Sequence, residues 1–381
     1  MKIFKIILFS ASVMLFACGG NKGEETTEAN TVDSIAQEGP KLFLTFEGGE
    51  GPGKGKHIVL ISGDEEYRSE EALPQMAKIL SSQHGFTCTV LFAQDPEKPG
   101  VVDPNYTGNI PGLEALKSAD LMYIFTRFRK LPDEQMQYID DYLMQGKPVV
   151  GVRTSTHAFN HDSADPWAHY GNSYKGEKEE WRGGFGKLVL GENWYYHHGS
   201  HKHQSARGVT APGAEGHPIT NGIGPGEVWG SSDVYGVHLP QGEGEQAIYL
   251  GQVVNRKGEY DSTDVHYGMR PTDDEVADNA HKGKKEITNV NSPMMPVVWT
   301  KEYQLPGGSP GKSVCATVGV AVDMLVEGTR RMLVNSVYWS LDMPVPEKAQ
   351  ADIVGDYNPT QFKFVDDSYW EEKNMLVADQ Q

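Results

Sequence analysis

Apolar residues are spread unevenly along the 381-residue chain. Between positions 57 and 152 they form short solid runs, separated by stretches in which they return every third or fourth residue. The runs are HIVLI at 57–61, FTCTVLF at 86–92, LMYIF at 121–125 and VVGV at 149–152. Each has about the length of a strand and is nearly all apolar, which suits a strand covered on both faces. Between the first two runs Leu73, Met76, Ala77 and Leu80 repeat at helical spacing, with Pro74 in the first turn or kinking the helix. A short helical turn is expected at 113–117. Pro132 opens another helix carrying Met136, Ile139 and Leu143 on one face, and Gly146 closes it. Strands alternating with helices predict an α/β fold: a parallel sheet with helices on both faces. Such sheets bind ligands at the carboxyl ends of their strands, which singles out the loops at 62–69, 126–130 and 153–161.

Further along, 246–254, 294–299 and 313–318 read as strands, and Leu333, Val334, Val337, Tyr338 and Leu341 stripe a last helix that Pro344 and Pro346 end. The polar stretch 255–292 is long for a compact domain and reads as a surface excursion or lid, and 343–381 as a tail draped over the surface. At the other end Lys2 and Lys5 precede an apolar run at 6–17 that is too short to span a bilayer, so 1–17 reads as a cleaved export signal. LFAC at 15–18 resembles the lipobox of bacterial lipoproteins. The resemblance implies that Cys18 is the lipidated residue and that the protein is anchored to the outer membrane, facing the periplasm or the cell surface. The alternative is an ordinary signal peptide with a chance cysteine. Residues 18–54, rich in glutamate at their start, then form a flexible acidic tether to a domain at 55–342.

Composition narrows the partners. The formal charge is −18, from 52 acidic against 34 basic side chains, and this excludes a nucleic-acid binder, which needs a basic face. Three cysteines exclude both a disulfide framework and a Cys-rich zinc module, and Cys88 and Cys315 sit in apolar strands as inert core thiols. A small neutral or cationic ligand remains.

Four constellations could carry its chemistry. Asp64, Glu65, Glu66, Tyr67 and Arg68 follow the first strand, where Glu66 could act as a general base and Tyr67 contact substrate; the rival reading is a solvated charge run. Arg127 and Arg129 follow the third strand and could pin an anionic group or pair with those carboxylates. After the fourth strand GVRTSTH at 151–157 should turn sharply into a helix, exposing Arg153 or Thr154 above the sheet, with His157 close by. No Cys or Ser occupies the centre of that turn, so an acyl-enzyme is poorly supported, and Ser155 is better read as a helix cap than as a nucleophile. HHGSHKH at 197–203 could hold a divalent metal such as zinc, or contact a sugar through His198 or His201, or be an exposed polar loop. Trp229, Asp233, Tyr235 and Trp299 are of the kind that holds sugar rings, with core packing as the rival reading for the aromatics.

Several of these stretches, taken in order, resemble the ThuA-like (trehalose-utilisation) family: HIVLISGDEEYR at 57–68, GVRTSTHAF at 151–159, GGFG at 183–186, HHG at 197–199 and MMPVVW at 294–299. Arg330, Arg331 and Asn335 in the closing helix belong to the same picture, and the resemblance covers about residues 55–342. It implies a flavodoxin-like, class I glutamine amidotransferase-like fold. Arg153 and Thr154 stand where an amidotransferase would carry its cysteine nucleophile, so glutamine hydrolysis is not expected. Many relatives have a Gly-His pair after the last strand; Gly319 and Val320 stand there in this chain, and a mechanism depending on that histidine is not supported. The resemblance implies carbohydrate use, of disaccharides or their 3-keto derivatives. The leading expectation is therefore a lipid-anchored protein acting on a sugar or glycoside, as a lyase, hydrolase or isomerase. Glu66 and His157 would do the acid–base work, with Tyr67, Arg127, Arg153, Thr154, His198, His201, Asp233 and Trp299 at the substrate. A carbohydrate-binding protein without turnover and a metal-dependent hydrolase centred on 197–203 are the alternatives.

Overall fold

The computed structural model describes residues 39–381; the export signal and Cys18 lie outside the described residues. In chain order the elements are β1 (Phe43–Phe46), β2 (His57–Gly63), α1 (Ser69–His84), β3 (Thr87–Phe92), β4 (Leu121–Thr126), α2 (Asp133–Met144), β5 (Val149–Val152), β6 (Gln204–Thr210), β7 (Trp229–Gly230), β8 (Glu245–Asn255), β9 (Asn279–Lys282), β10 (Lys285–Thr288), β11 (Met295–Tyr303), β12 (Gly311–Ala316), α3 (Glu327–Ser340) and α4 (Asp367–Lys373). The four apolar runs are β2, β3, β4 and β5, as their pattern predicts. Pro74 lies in the second turn of α1, which runs on to His84 and ends at Gly85 in the left-handed region (φ 81°). That conformation is easily adopted only by glycine.

Ten strands form one sheet in the order β1-β3-β2-β4-β5-β12-β11-β8-β6-β7. The middle block β3-β2-β4-β5-β12 is parallel throughout. β1 is antiparallel at one edge, and β11, β8, β6 and β7 extend the other edge in antiparallel fashion. The fold is α/β, but the expectation of a parallel sheet holds only for that middle block. The chain between β11 and β12 is the short segment QLPGGSP at 304–310, which cannot hold a crossover helix and so forces an antiparallel pair.

Along β2 the side chains alternate between two cores. Ile58 and Leu60 pack with α1 and α3, while Val59 and Ile61 pack with α2. All four are fully or almost fully buried, which is why the run is apolar without a break. The chain passes from β2 to β3 on one side and then crosses to β4 on the other. The loops after β2 and β4 therefore diverge and leave a crevice between them.

Pro40–Gln381 form one compact unit, which corrects two expectations. The segment assigned to the tether contributes β1, whose register pairs Leu44 with Val90. The C-terminal tail is structural: Phe362, Trp370 and Val377 are buried, and Val102 N donates to Met375 O at 2.8 Å. Nor is 255–292 a free lid. It contains the β9–β10 hairpin, and Asn291 Nδ2 stitches it to β8 by donating to Val253 O (3.0 Å) and Ala277 O (2.9 Å). Among the described residues no helix is long and apolar enough to cross a membrane.

Candidate active site

The crevice at the strand ends opens as a cleft of about 330 Å³ lined by Glu66, Arg127, His157, Trp194, His197, His201, Lys202, Tyr235 and Phe364. It draws on the loops after β2, β4 and β5, the segment before β6, the segment after β7 and the C-terminal tail.

Behind the histidines of its wall lies Asp233, fully buried. Oδ1 accepts from Arg153 Nη2 (3.0 Å) and lies 2.8 Å from His201 Nδ1, while Oδ2 lies 2.8 Å from His197 Nδ1. Burial pushes this carboxyl up, but the charges of His197 and Arg153 and the imidazole hydrogen bonds outweigh it and hold it well below the ordinary 3.8. An ionised Asp233 is an acceptor only, so both histidines carry a proton on Nδ1, leaving each Nε2 for other work. His201 Nε2 lies 3.3 Å from Glu66 Oε1. Burial lowers the His201 pKa, but the bonds to Asp233 and Glu66 win and raise it above 6.5. Asp233, His201 and Glu66 thus form a chain that runs from a buried anion to a carboxylate on the cleft wall.

Arg153 lies beneath the cleft. Its φ of 47° is left-handed, and strain of this kind at a non-glycine residue costs on the order of 1–3 kcal/mol. The bend directs the guanidinium inward, 3.6 Å from the Tyr235 ring centre and 4.7 Å from that of Tyr67, with Nη1 donating to Thr317 O (2.9 Å) and Nη2 to Tyr67 Oη (3.1 Å). Phe128, Arg68 and Lys202 also have positive φ around the same cleft. The turn after β5 is a short 3-10 segment, Arg153–His157, and not the start of a long helix. Neither Arg153 nor Thr154 is exposed as expected: both are fully buried, and Thr154 Oγ1 donates to Asp64. Burial and Glu65 push the Asp64 carboxyl up to about 6, against that hydrogen bond.

The acidic run after β2 divides its labour. Asp64 caps its own turn, accepting from Glu66 N at 2.7 Å. Glu65 is clamped between Arg127 and Arg129, so the expected pairing of arginines with this run is present. Glu66 alone reaches the histidines. Arg127 lies over Phe128 and Phe364, 4.8 Å from each ring centre, and shapes the rim.

His157 is a wall residue, packed 4.8 Å from Phe128 and 5.1 Å from Trp194 between ring centres. Burial, then Arg127, Arg153 and His197, push its pKa well below 6.5, so the ring is neutral. Tyr67 is buried and stacks on Phe362 at 5.3 Å. Two expected contacts lie elsewhere. His198 faces away, its Nδ1 2.8 Å from Tyr196 Oη and its Nε2 2.7 Å from Val290 O. Trp299 sits in the middle of β11 in the core beside α2, its indole donating to Leu190 O at 2.7 Å. His197 and Asp233 matter more than their sequence context indicated, and Phe362 and Phe364 enter from a tail that carried no functional expectation.

Fold and site together describe an α/β protein with a histidine–carboxylate cleft at its strand ends. No family model matches the chain, and no curated protein does. The chain is similar to solved structures described as ThuA-like. One, from Bacteroides uniformis, is 14% identical, with 77% of this chain and 94% of that one covered and a TM-score of 0.38. Another, from Parabacteroides merdae, is 12% identical, covering 81% and 98%, with a TM-score of 0.41. A cytoplasmic protein of Salmonella typhimurium is 13% identical over 74% and 98%, with a TM-score of 0.33.

Proposed function

We propose that the protein is a ThuA-like, flavodoxin-like domain that acts on a sugar or glycoside by acid–base chemistry in this cleft. The observation that carries the reading is the Asp233–His201–Glu66 chain, which ends on a wall shared with Trp194, Tyr235 and Phe364. Aromatic faces suit the apolar faces of sugar rings, and a raised imidazole beside a carboxylate is an acid–base pair. Asp233 fixes the tautomer of His201, which holds a proton at Nε2 when charged, and Glu66 accepts one. Proton transfer next to a carbonyl, as in a 3-keto-disaccharide, needs a donor and an acceptor of this kind, and the Arg127 guanidinium at the rim, paired on one side with Glu65, would polarise an oxygen through its remaining N–H groups. Acid–base duty moves from Glu66 with His157 to Glu66 with His201, because the neutral His157 ring has its Nδ1 3.2 Å from Thr156 Oγ1. The buried Arg153 and Thr154 at the elbow supply no nucleophile, which supports a chemistry other than glutamine hydrolysis.

A second reading has a specific observation behind it. His197, His201 and Asp233 each place a ligand atom within 4.8 Å of the others. Asp233 already serves Arg153 and both Nδ1 atoms, so it fits better as the anion that orients two imidazoles. Their Nε2 atoms, with Glu66, would then hold a divalent ion such as zinc and supply a Lewis acid. One experiment addresses both readings: untagged protein is incubated with disaccharides and 3-keto-disaccharides, with and without added zinc, and products are followed by chromatography. Product formation without zinc supports the acid–base reading, and product only with zinc supports the metal reading. Saturable sugar binding with no product in either arm would leave a binding protein, and neither binding nor product would end the carbohydrate assignment.

A further inference from the structure

The excess of acidic side chains over the whole chain favours a neutral or cationic ligand, yet the cleft departs from that average. Among its lining residues Glu66 brings the one carboxylate, against the guanidinium of Arg127, the amine of Lys202 and the raised imidazole of His201. The carboxylates nearby are already engaged. Glu66 meets His201, Asp233 meets Arg153 and two imidazoles, Glu65 is clamped by Arg127 and Arg129, and Asp64 accepts from Thr154 and from its own turn.

Lys202 has no such partner. Its Nζ makes no hydrogen bond or ion pair among the described residues, and lies over the rings of Tyr267 and Phe362, 5.4 and 6.0 Å from their centres. The charges that reach it are those of Glu66, already bonded to His201, and of the cations Lys363 and Arg68. Its backbone is left-handed, with φ 64°, a conformation unfavourable to a residue with a Cβ, and it sets the side chain on the cleft wall beside His201. A half-buried cation without a counter-charge has lost hydration that nothing in the protein restores, and an anion entering the cleft would restore it. Arg127 can share that anion: its Nη1 is bonded to Glu65, and its other N–H groups have no partner among the described residues.

We propose that the sugar taken by this cleft is an acidic one, a uronic acid whose carboxylate is held between Lys202 and Arg127. A carboxylate carries one charge on two coplanar oxygens, which matches one amine and the free edge of one guanidinium; a phosphate ester carries nearly two charges and would leave the second without a partner. The inference rests on the sugar reading above and names within it the group by which the substrate is selected. It also reverses, at this one place, what the charge of the whole chain implies about the ligand.

The test is calorimetric titration of the untagged protein with methyl glucuronide and methyl galacturonide, with the neutral methyl glucoside and methyl galactoside, and with glucose 6-phosphate, repeated on Lys202→Gln and Lys202→Arg. In at least one of the two series the uronide should bind at least about tenfold more tightly than its neutral counterpart, and added salt should weaken that preference. Lys202→Gln should cut the preference below about threefold, while Lys202→Arg should keep it, which separates the loss of charge from damage at a left-handed residue. Equal affinity for uronide and neutral glycoside, a preference unchanged in Lys202→Gln, or tighter binding of glucose 6-phosphate than of either uronide would overturn the acidic-sugar assignment and leave the sugar reading standing. No binding of any saccharide would take both down together.

Discussion

The two halves of the sheet contribute to the cleft in different ways. The parallel block β3-β2-β4-β5-β12 supplies groups that are locked in place: Asp64 capped, Glu65 clamped by two guanidiniums, Thr154 bonded beneath, His157 packed and neutral. The antiparallel flank supplies the hydrogen-bonded imidazoles and their anion, His197 and His201 before β6 and Asp233 after β7, and it is His201 whose pKa is raised. Glu66 and Arg153 are the points of contact, since each leaves the parallel block and ends on the other half. Adjacent carboxylates thus have opposite fates. Glu65 is saturated by two permanent cations, whereas Glu66 meets an imidazole that can give up its proton. Proximity to a strand end does not by itself make a residue chemical; the partner's ability to titrate does.

The sharpest way to break that comparison is to exchange the two glutamates for glutamine in turn. Glu66→Gln should lower turnover about 10²–10⁴-fold with stability within about 1 kcal/mol, whereas Glu65→Gln should cost about 1–3 kcal/mol and less than tenfold in turnover. Steady-state rates and urea melts read the two, and a reversed pattern would dissolve the division of labour. Arg153→Ala comes next, because it strands Asp233 without its permanent cation at a fully buried site. A loss of about 3–5 kcal/mol is expected in the same melts, and a value under about 1 kcal/mol would mean that the halves are not tied there.

The smallest effect is in the pH dependence. Asp233 is depressed, so its contribution is complete above the ordinary 3.8 and is lost as pH falls through the lower native value. His201 is raised, so its contribution is complete below 6.5 and is lost as pH rises through the higher native value. Both are therefore present between 3.8 and 6.5, and thermal stability should be highest there. His201→Asn should flatten the alkaline side by under about 1 kcal/mol, since the ring is a quarter exposed and partly screened. An unchanged alkaline slope would mean that His201 is not the group that titrates.

Some of this was legible in the chain and some was not, for reasons that attach to particular residues. Residues 197 and 198 show the boundary. His197 pairs with Tyr235 in an extended bridge, and side chains in extended backbone alternate, so His197 enters the cleft while His198 turns to Val290. The sequence shows the histidines but not which parity faces in. Trp299 read as a strand's end; the strand runs four residues further and buries it.

What the sequence determined by itself was the parallel block and its rim. Solid apolar runs of strand length between helical repeats leave few other ways to bury both faces, and their carboxyl ends place Glu66, Arg127 and His157 at one edge. What only the tertiary structure decided was the other wall. His201 and Phe364, and the buried Asp233 behind His201, are separated from that rim by scores of residues with no local period, and the pairing of an antiparallel flank and the docking of a tail depend on contacts that no short window of sequence contains.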